Sequence, residues 1–284
     1  MALLLACVSS LCFGAALVTG KFGLRLIDAR SGAAISIPTA TVLFIIVSPF
    51  VLDVSGFTPR AALLFAAVGL LFPAVVTILT FRSNAILGPA VTSTVSSTAP
   101  LFALVAATVL LGEQVPPKAT LASVGVVIGV TLLSWKPATV RAGTFGWSLM
   151  LPILGAMIRG IAQVAVKAGL LLWPNPFAAS LIGYTISSGT VVATNRFFRM
   201  PGPTHTKEAF GWFALTGILN GGAVLLMYAA LTVAPVSMVA PVVAAYPLVT
   251  VLLGALALRD EALSPRVVTG AAVTVAAIAY LVGA

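Results

Sequence analysis

Ten apolar stretches, each about as long as a bilayer is thick, decide what this chain folds into. A helix that crosses a membrane needs about 20 mostly apolar residues. On that measure the sequence predicts helices over roughly 2–20, 33–52, 61–81, 86–111, 118–135, 146–168, 177–195, 209–231, 235–258 and 265–283. The linkers between them are short and polar, and none has room for a soluble domain. Only 7% of the 284 residues are charged, against roughly a quarter in soluble domains. That is too little polar surface to cover a globule in water, so the solvent must be lipid. The expected fold is an all-α polytopic membrane protein of ten transmembrane helices. The net charge of +9 does not point to nucleic acid. Lys and Arg are scattered through short loops and form no cluster that would follow phosphates. They read as flanking charges that orient helices.

The apolar pattern repeats. Residues 81–118, FRSNAILGPAVTSTVSSTAPLFALVAATVLLGEQVPPK, have an echo at 228–266, YAALTVAPVSMVAPVVAAYPLVTVLLGALALRDEALSPR. A shift of 147 places Val95 on Val242, Pro100 on Pro247, Leu101 on Leu248, Leu111 on Leu258 and Glu113 on Asp260. The first helix has its own echo at a shift of 146, where Lys21-Phe-Gly-Leu24 falls on Lys167-Ala-Gly-Leu170. An element that recurs half a chain later marks an internal repeat. The expected division is 1–143 and 144–284, five helices in each, forming one membrane domain. An odd number of helices per half inserts the second half upside down relative to the first. Inverted repeats of this kind belong to secondary transporters, with the substrate site between the halves near the membrane midplane.

Other architectures are excluded by what is missing. Cys7 and Cys12 sit on one helix five residues apart, pointing to different faces, so no disulfide framework or zinc spacing exists. The first twenty residues lack the basic start of a signal peptide, and their echo makes them a permanent helix. The six acids, Asp28, Asp53, Glu113, Glu208, Asp260 and Glu261, all fall in loops or at helix ends, as does His205. No carboxylate or imidazole is placed to relay a proton, hold a metal or serve a nucleophile. No catalytic residue, metal or cofactor is expected, and an integral lipid-modifying enzyme is the weakest reading.

Together the ten helices, the two repeats, the run-on connections Phe81-Arg-Ser-Asn-Ala-Ile-Leu-Gly-Pro-Ala90 and Tyr228-Ala-Ala-Leu-Thr-Val-Ala-Pro-Val-Ser237, the prolines Pro100 and Pro247, and the acidic turns Gly112-Glu113 and Asp260-Glu261 resemble the drug/metabolite transporter superfamily of the EamA type. The resemblance covers essentially the whole chain. It implies export of a small metabolite through a central cavity, with the fifth and tenth helices peripheral, and amino-acid exporters are the nearest analogy within the superfamily. The second acidic turn departs from the pattern, with Asp260 at the register position and Glu261 one residue on.

Arg159 is the leading site residue. It lies mid-way along the sixth predicted helix, where an arginine costs at least ~2.5–3.5 kcal/mol and marks function by default. The competing reading is an arginine that snorkels to the interface. Gln163 and Lys167 follow at one and two turns, making a polar stripe. Phe13 is the repeat counterpart of Arg159 and joins the expected site with Ser9. On the fourth helix, Ser93 and Ser97 share a face with Ser96 beside them, although membrane hydroxyls often bond to their own backbone. Asn220 and Tyr246 complete the substrate-binding set, Tyr184 and Tyr228 are weaker candidates, and Pro100 and Pro247 are the expected hinges. Trp135, Trp147, Trp173 and Trp212 read as interfacial anchors.

These residues predict a transporter of a small zwitterion or acid, above all an amino acid with an apolar or aromatic side chain, working by alternating access and without a coupling gradient. The rival within the class is a multidrug or quaternary-amine exporter, which would want a buried anion. The expected partners are the small-molecule substrate and the lipid bilayer, not nucleic acid, with the protein a monomer or weak homodimer in the inner (plasma) membrane. Loops after odd helices hold Lys21, Arg25, Arg30, Arg82, Lys136, Arg141, Arg196, Arg199, Lys207, Arg259 and Arg266, and loops after even helices hold Arg60, Lys118 and Lys167. Cytoplasmic loops are enriched in Lys and Arg, so both termini are expected outside the cytoplasm. The resemblance implies the opposite orientation, and the charge bias is preferred because it is a property of this chain.

Overall fold

The structure is a computed structural model that describes residues 1–134, 145–197, 206–258 and 265–283. Its helices, in chain order, are α1 (Ala2–Gly23), α2 (Ala29–Val51), α3 (Pro59–Leu71), α4 (Ala74–Ser96), α5 (Ala99–Leu111), α6 (Pro117–Ser134), α7 (Phe145–Ser148), α8 (Met150–Leu172), α9 (Pro176–Phe197), α10 (Lys207–Val233), α11 (Val236–Val243), α12 (Tyr246–Leu258) and α13 (Pro265–Val282). No strand occurs among the described residues. Among the described residues eight stretches are long and apolar enough to cross a membrane, and Ala99–Leu111 and Pro117–Leu133 are shorter apolar helices. The chain is a polytopic, all-helical membrane protein. Large apolar side chains such as Leu63, Val109 and Phe50 stand on its outside, where lipid is as apolar as they are.

Local chemistry sets the helix starts. Pro59, Pro117, Pro176 and Pro265 each occupy the first position of a helix, where a missing N–H costs nothing and the fixed φ suits the turn. Asp28 precedes α2 and accepts from the amides of Arg30 (2.9 Å) and Ser31 (3.0 Å). Partial burial works against its charge, but the Ser31 hydroxyl and these amides outweigh it and hold its carboxyl below the usual carboxylate range. Thr206 caps α10 by accepting from the amide of Ala209 at 3.1 Å.

The prolines also break helices that the sequence reads as continuous. The expected helix 61–81 is interrupted at 72–73, before α4. The expected helix 86–111 divides into α4 and α5 at 97–98, and the expected helix 235–258 divides into α11 and α12 at 244–245. Pro100 and Pro247 thus open a new helix after a break, where sequence suggested a kink inside one. The breaks match bond for bond. Thr98 N bonds to Val95 O and Leu101 N to Thr98 O; 147 residues on, Ala245 N bonds to Val242 O and Leu248 N to Ala245 O. The backbone is locally helical throughout α4, yet α4 is not straight. Ser83 Oγ and Thr92 Oγ1 lie 2.6 Å apart, whereas nine residues of straight helix rise about 13.5 Å. The chain therefore turns back on itself between them, just beyond the connection expected near Arg82.

The packing brings the first helix of each half against the proline-led helix of the other. α1 lies on α10 and α12, and α8 on α3, α4 and α5. The contact points are two glycines 146 residues apart. A Cβ at Gly14 would stand 2.5 Å from Val249 Cβ and 2.9 Å from Tyr246 O. A Cβ at Gly160 would stand 2.8 Å from Phe102 Cβ and 2.7 Å from Ala99 O. Phe102 and Ala99 become Val249 and Tyr246 under the shift of 147. α6 and α13 pack chiefly on each other, with α6 also against α4 and α11, and only Gly270, Thr274 and Leu281 of α13 are buried.

Candidate functional site

The two glycine crossings leave a cavity between them, beside the breaks. Its lining falls into repeat-related pairs: Phe13 with Arg159, Ala99 with Tyr246, and Ser96 with Val243. Phe72, Pro100, Gln163, Met227, Ala240 and Ala244 complete it. The cavity therefore sits where the sequence halves meet. It is not symmetric in chemistry. The first half offers Phe13 and Ala99 where the second offers Arg159 and Tyr246, so the charge and ring hydroxyl come from one side.

Arg159 does not snorkel. Its Nη1 donates to Tyr246 Oη at 3.0 Å, and its guanidinium carbon lies 5.6 Å from the centre of the same ring. The ring of Phe13 is tilted against that of Tyr246 with centroids 6.2 Å apart. Two polar atoms at the cavity are buried and without a partner: Arg159 Nε, a donor, and Gln163 Oε1, an acceptor. Gln163 is 4% exposed. A buried polar group left unpaired costs about 1–3 kcal/mol, so the arrangement favours a ligand that accepts at one atom and donates at the other. The cavity measures about 20 Å³, room for a water molecule but too small for a metabolite.

Of the predicted residues, Arg159, Gln163, Phe13, Tyr246 and Pro100 meet here. Ser9 does not. It is fully buried, and its Oγ donates to Ala223 O at 2.7 Å, tying α1 to α10. Ser97 is fully buried and already partnered, and its neighbour Ser96 takes the lining position. The side chain of Ser93 lies outside the described residues. Asn220 is half-buried and Pro247 buried, and neither lines the cavity. Tyr184 and Tyr228 are buried away from the cavity. The polar stripe ends at Gln163, because Lys167 turns away to backbone carbonyls of Leu231 and Ala234. Trp173 is buried, with its Nε1 donating to Ser55 O at 3.0 Å, and is no interfacial anchor. Sequence reasoning missed Phe72, Ala99, Met227, Ala240, Val243 and Ala244, all apolar and carrying no signal in a chain that is 60% hydrophobic. Among the described residues no group of His, Cys, Asp and Glu is placed to hold a metal ion.

A family model described as the EamA-like transporter family matches residues 1–135 and 146–283. A solved structure described only as the crystal structure of a protein is similar over 99% of this chain and 98% of its own, with a TM-score of 0.82 at 15% identity, which shows a shared fold. No curated protein matches the chain in sequence.

Proposed function

The chain belongs to the EamA-like transporter family, and from that premise we propose that it exports a small metabolite, above all an amino acid with an apolar or aromatic side chain. The observation that carries this reading is the unpartnered pair at one buried cavity, Arg159 Nε and Gln163 Oε1. The substrate carboxylate binds the guanidinium. Its ammonium donates to the amide oxygen one helical turn away, and its side chain lies among Phe13, Phe72 and Met227. Among the described residues no carboxylate lines the cavity, so a quaternary amine or cationic drug finds no counter-charge there, which disfavours the multidrug alternative.

The mechanism is alternating access between two inverted five-helix repeats, ten transmembrane helices in all. The matching breaks at 97–98 and 244–245 and the matching crossings at Gly14 and Gly160 support that reading. So does the small cavity, which must widen to admit a substrate as an occluded state must. The described acids lie at helix ends or in loops, and arginine keeps its charge, so transport is facilitative and equilibrates substrate across the inner membrane. The experiment is counterflow in proteoliposomes against a panel of amino acids. An apolar or aromatic amino acid should exchange without a pH gradient. No exchange of any amino acid, or accumulation driven by an imposed proton gradient and abolished by an ionophore, would overturn the substrate or the energetics respectively.

A further inference from the structure

The break between α10 and α11 is held on both sides by charge. The last carbonyls of a helix have no partner within it, nor do the first amides of the next. Lys167, on α8, donates its Nζ to Leu231 O (2.6 Å) and Ala234 O (3.1 Å) at the end of α10. Glu113, in the turn after α5, accepts the first amides of α11. Its Oε2 takes Val236 N at 3.1 Å and its Oε1 takes Ser237 N at 3.0 Å, with the Ser237 hydroxyl also bound to Oε1. A cation at a helix C-terminus and a carboxylate at an N-terminus each suit the helix dipole. Lys167 and Glu113 also attract each other. Neither lines the cavity, but α11 does, through Ala240 and Val243. α11 is a short, buried helix with Pro235 before it and the 244–245 break after it, so backbone breaks flank it at both ends and the charged cap fixes its outer one.

We infer that Glu113 and Lys167 are a gate, positioning α11 as the closed wall of the cavity, and that release of Glu113 opens the cavity to the face bearing the 112–116 turn. Glu113 reaches across from the first sequence half to a helix of the second, so the clamp joins the parts that must separate. The same face is stapled by Trp173 to Ser55 O and by Asn175 Nδ2 to Asp53 O at 2.6 Å. The transport reading says what the gate admits, while the gate itself rests on this geometry.

The test uses the full chain in proteoliposomes with Cys7→Ser and Cys12→Ser, and Ala240→Cys as the reporter on the cavity wall. Glu113→Ala, and separately the near-isosteric Glu113→Gln, should raise the labelling rate by a membrane-impermeant thiol reagent about tenfold from one face only, the scale of losing charge-assisted hydrogen bonds. Glu113→Asp, which keeps the charge, should recover part of the slow rate. An unchanged rate in both neutral variants overturns the gate, and so does an equal rise from both faces, which would mean general loosening. If Glu113→Ala fails to insert, Glu113→Gln decides. Because labelling needs no substrate, failed amino-acid counterflow leaves this test standing, and successful counterflow with unchanged labelling sinks the gate alone.

Discussion

Arg159 is placed where lipid would charge at least ~2.5–3.5 kcal/mol for it, and its local contacts go far to offset that. A hydrogen bond to a charged group is worth about 1.5–3 kcal/mol; Tyr246 supplies one, and its ring lies within cation–π reach of the same guanidinium. What Tyr246 leaves over is Nε, buried and unpaired, on a side chain that lines the cavity. This separates a binding arginine from a structural one. Arg159→Met removes a half-buried charge and fills similar space, so the melting temperature of the detergent-solubilised protein should hold or rise while transport in liposomes is lost. A fall in melting temperature with transport retained would make Arg159 a structural residue and retire its role. Arg159, Gln163 and Tyr246 were legible in the sequence because polar groups at that depth need a reason. Ser9 and Ser97 were not, because a hydroxyl's partner across a helix interface, such as Ala223 O for Ser9, leaves no trace in the spacing of its own helix.

At the scale of elements, two close helix approaches flank the site. Gly160 lets α8 come against the backbone of α5 one residue from Arg159, and Gly14 does the same for α1 on α12 beside Phe13. A methyl group at either position meets main-chain atoms inside 3.0 Å, which rotamer changes cannot relieve. Gly160→Ala should therefore push α8 off α5, cost about 1–3 kcal/mol as overpacked interiors do, and displace Arg159. The measurement is a lowered melting temperature together with weakened substrate counterflow. Wild-type values for both would show that the crossing gives way without harm. The helices themselves were legible, since apolar length and first-turn prolines fix their existence and starts. The breaks were not. A proline inside an apolar run reads equally as a kink or as the start of a new helix, and only the paired bonds Thr98 N to Val95 O and Ala245 N to Val242 O distinguish the two.

For the whole molecule the remaining question is which face looks into the cell. The structure alters the charge count in a defined way: Lys21 lies within α1 and Lys167 within α8, bound to carbonyls. Without them the odd loops keep Arg25, Arg30, Arg82, Lys136, Arg141, Arg196, Arg199, Lys207, Arg259 and Arg266, and the even loops keep Arg60 and Lys118. The bias survives, and it applies to loops short enough for the rule. We propose that the odd loops are cytoplasmic, with both termini and the Glu113 face outside, so that the clamp is the outer gate of an exporter. Ser31, near the start of α2, is buried against Asp28 and cannot serve as a reporter. Val54, in the second connection, and Leu26, in the first, are exposed at 66% and 40%. With Cys7 and Cys12 replaced by serine, Val54→Cys should react with an impermeant maleimide in intact cells. Leu26→Cys should react only after the membrane is permeabilised. The reverse pattern would turn the molecule over, place the clamp at the cytoplasmic end, and make it the gate through which substrate enters.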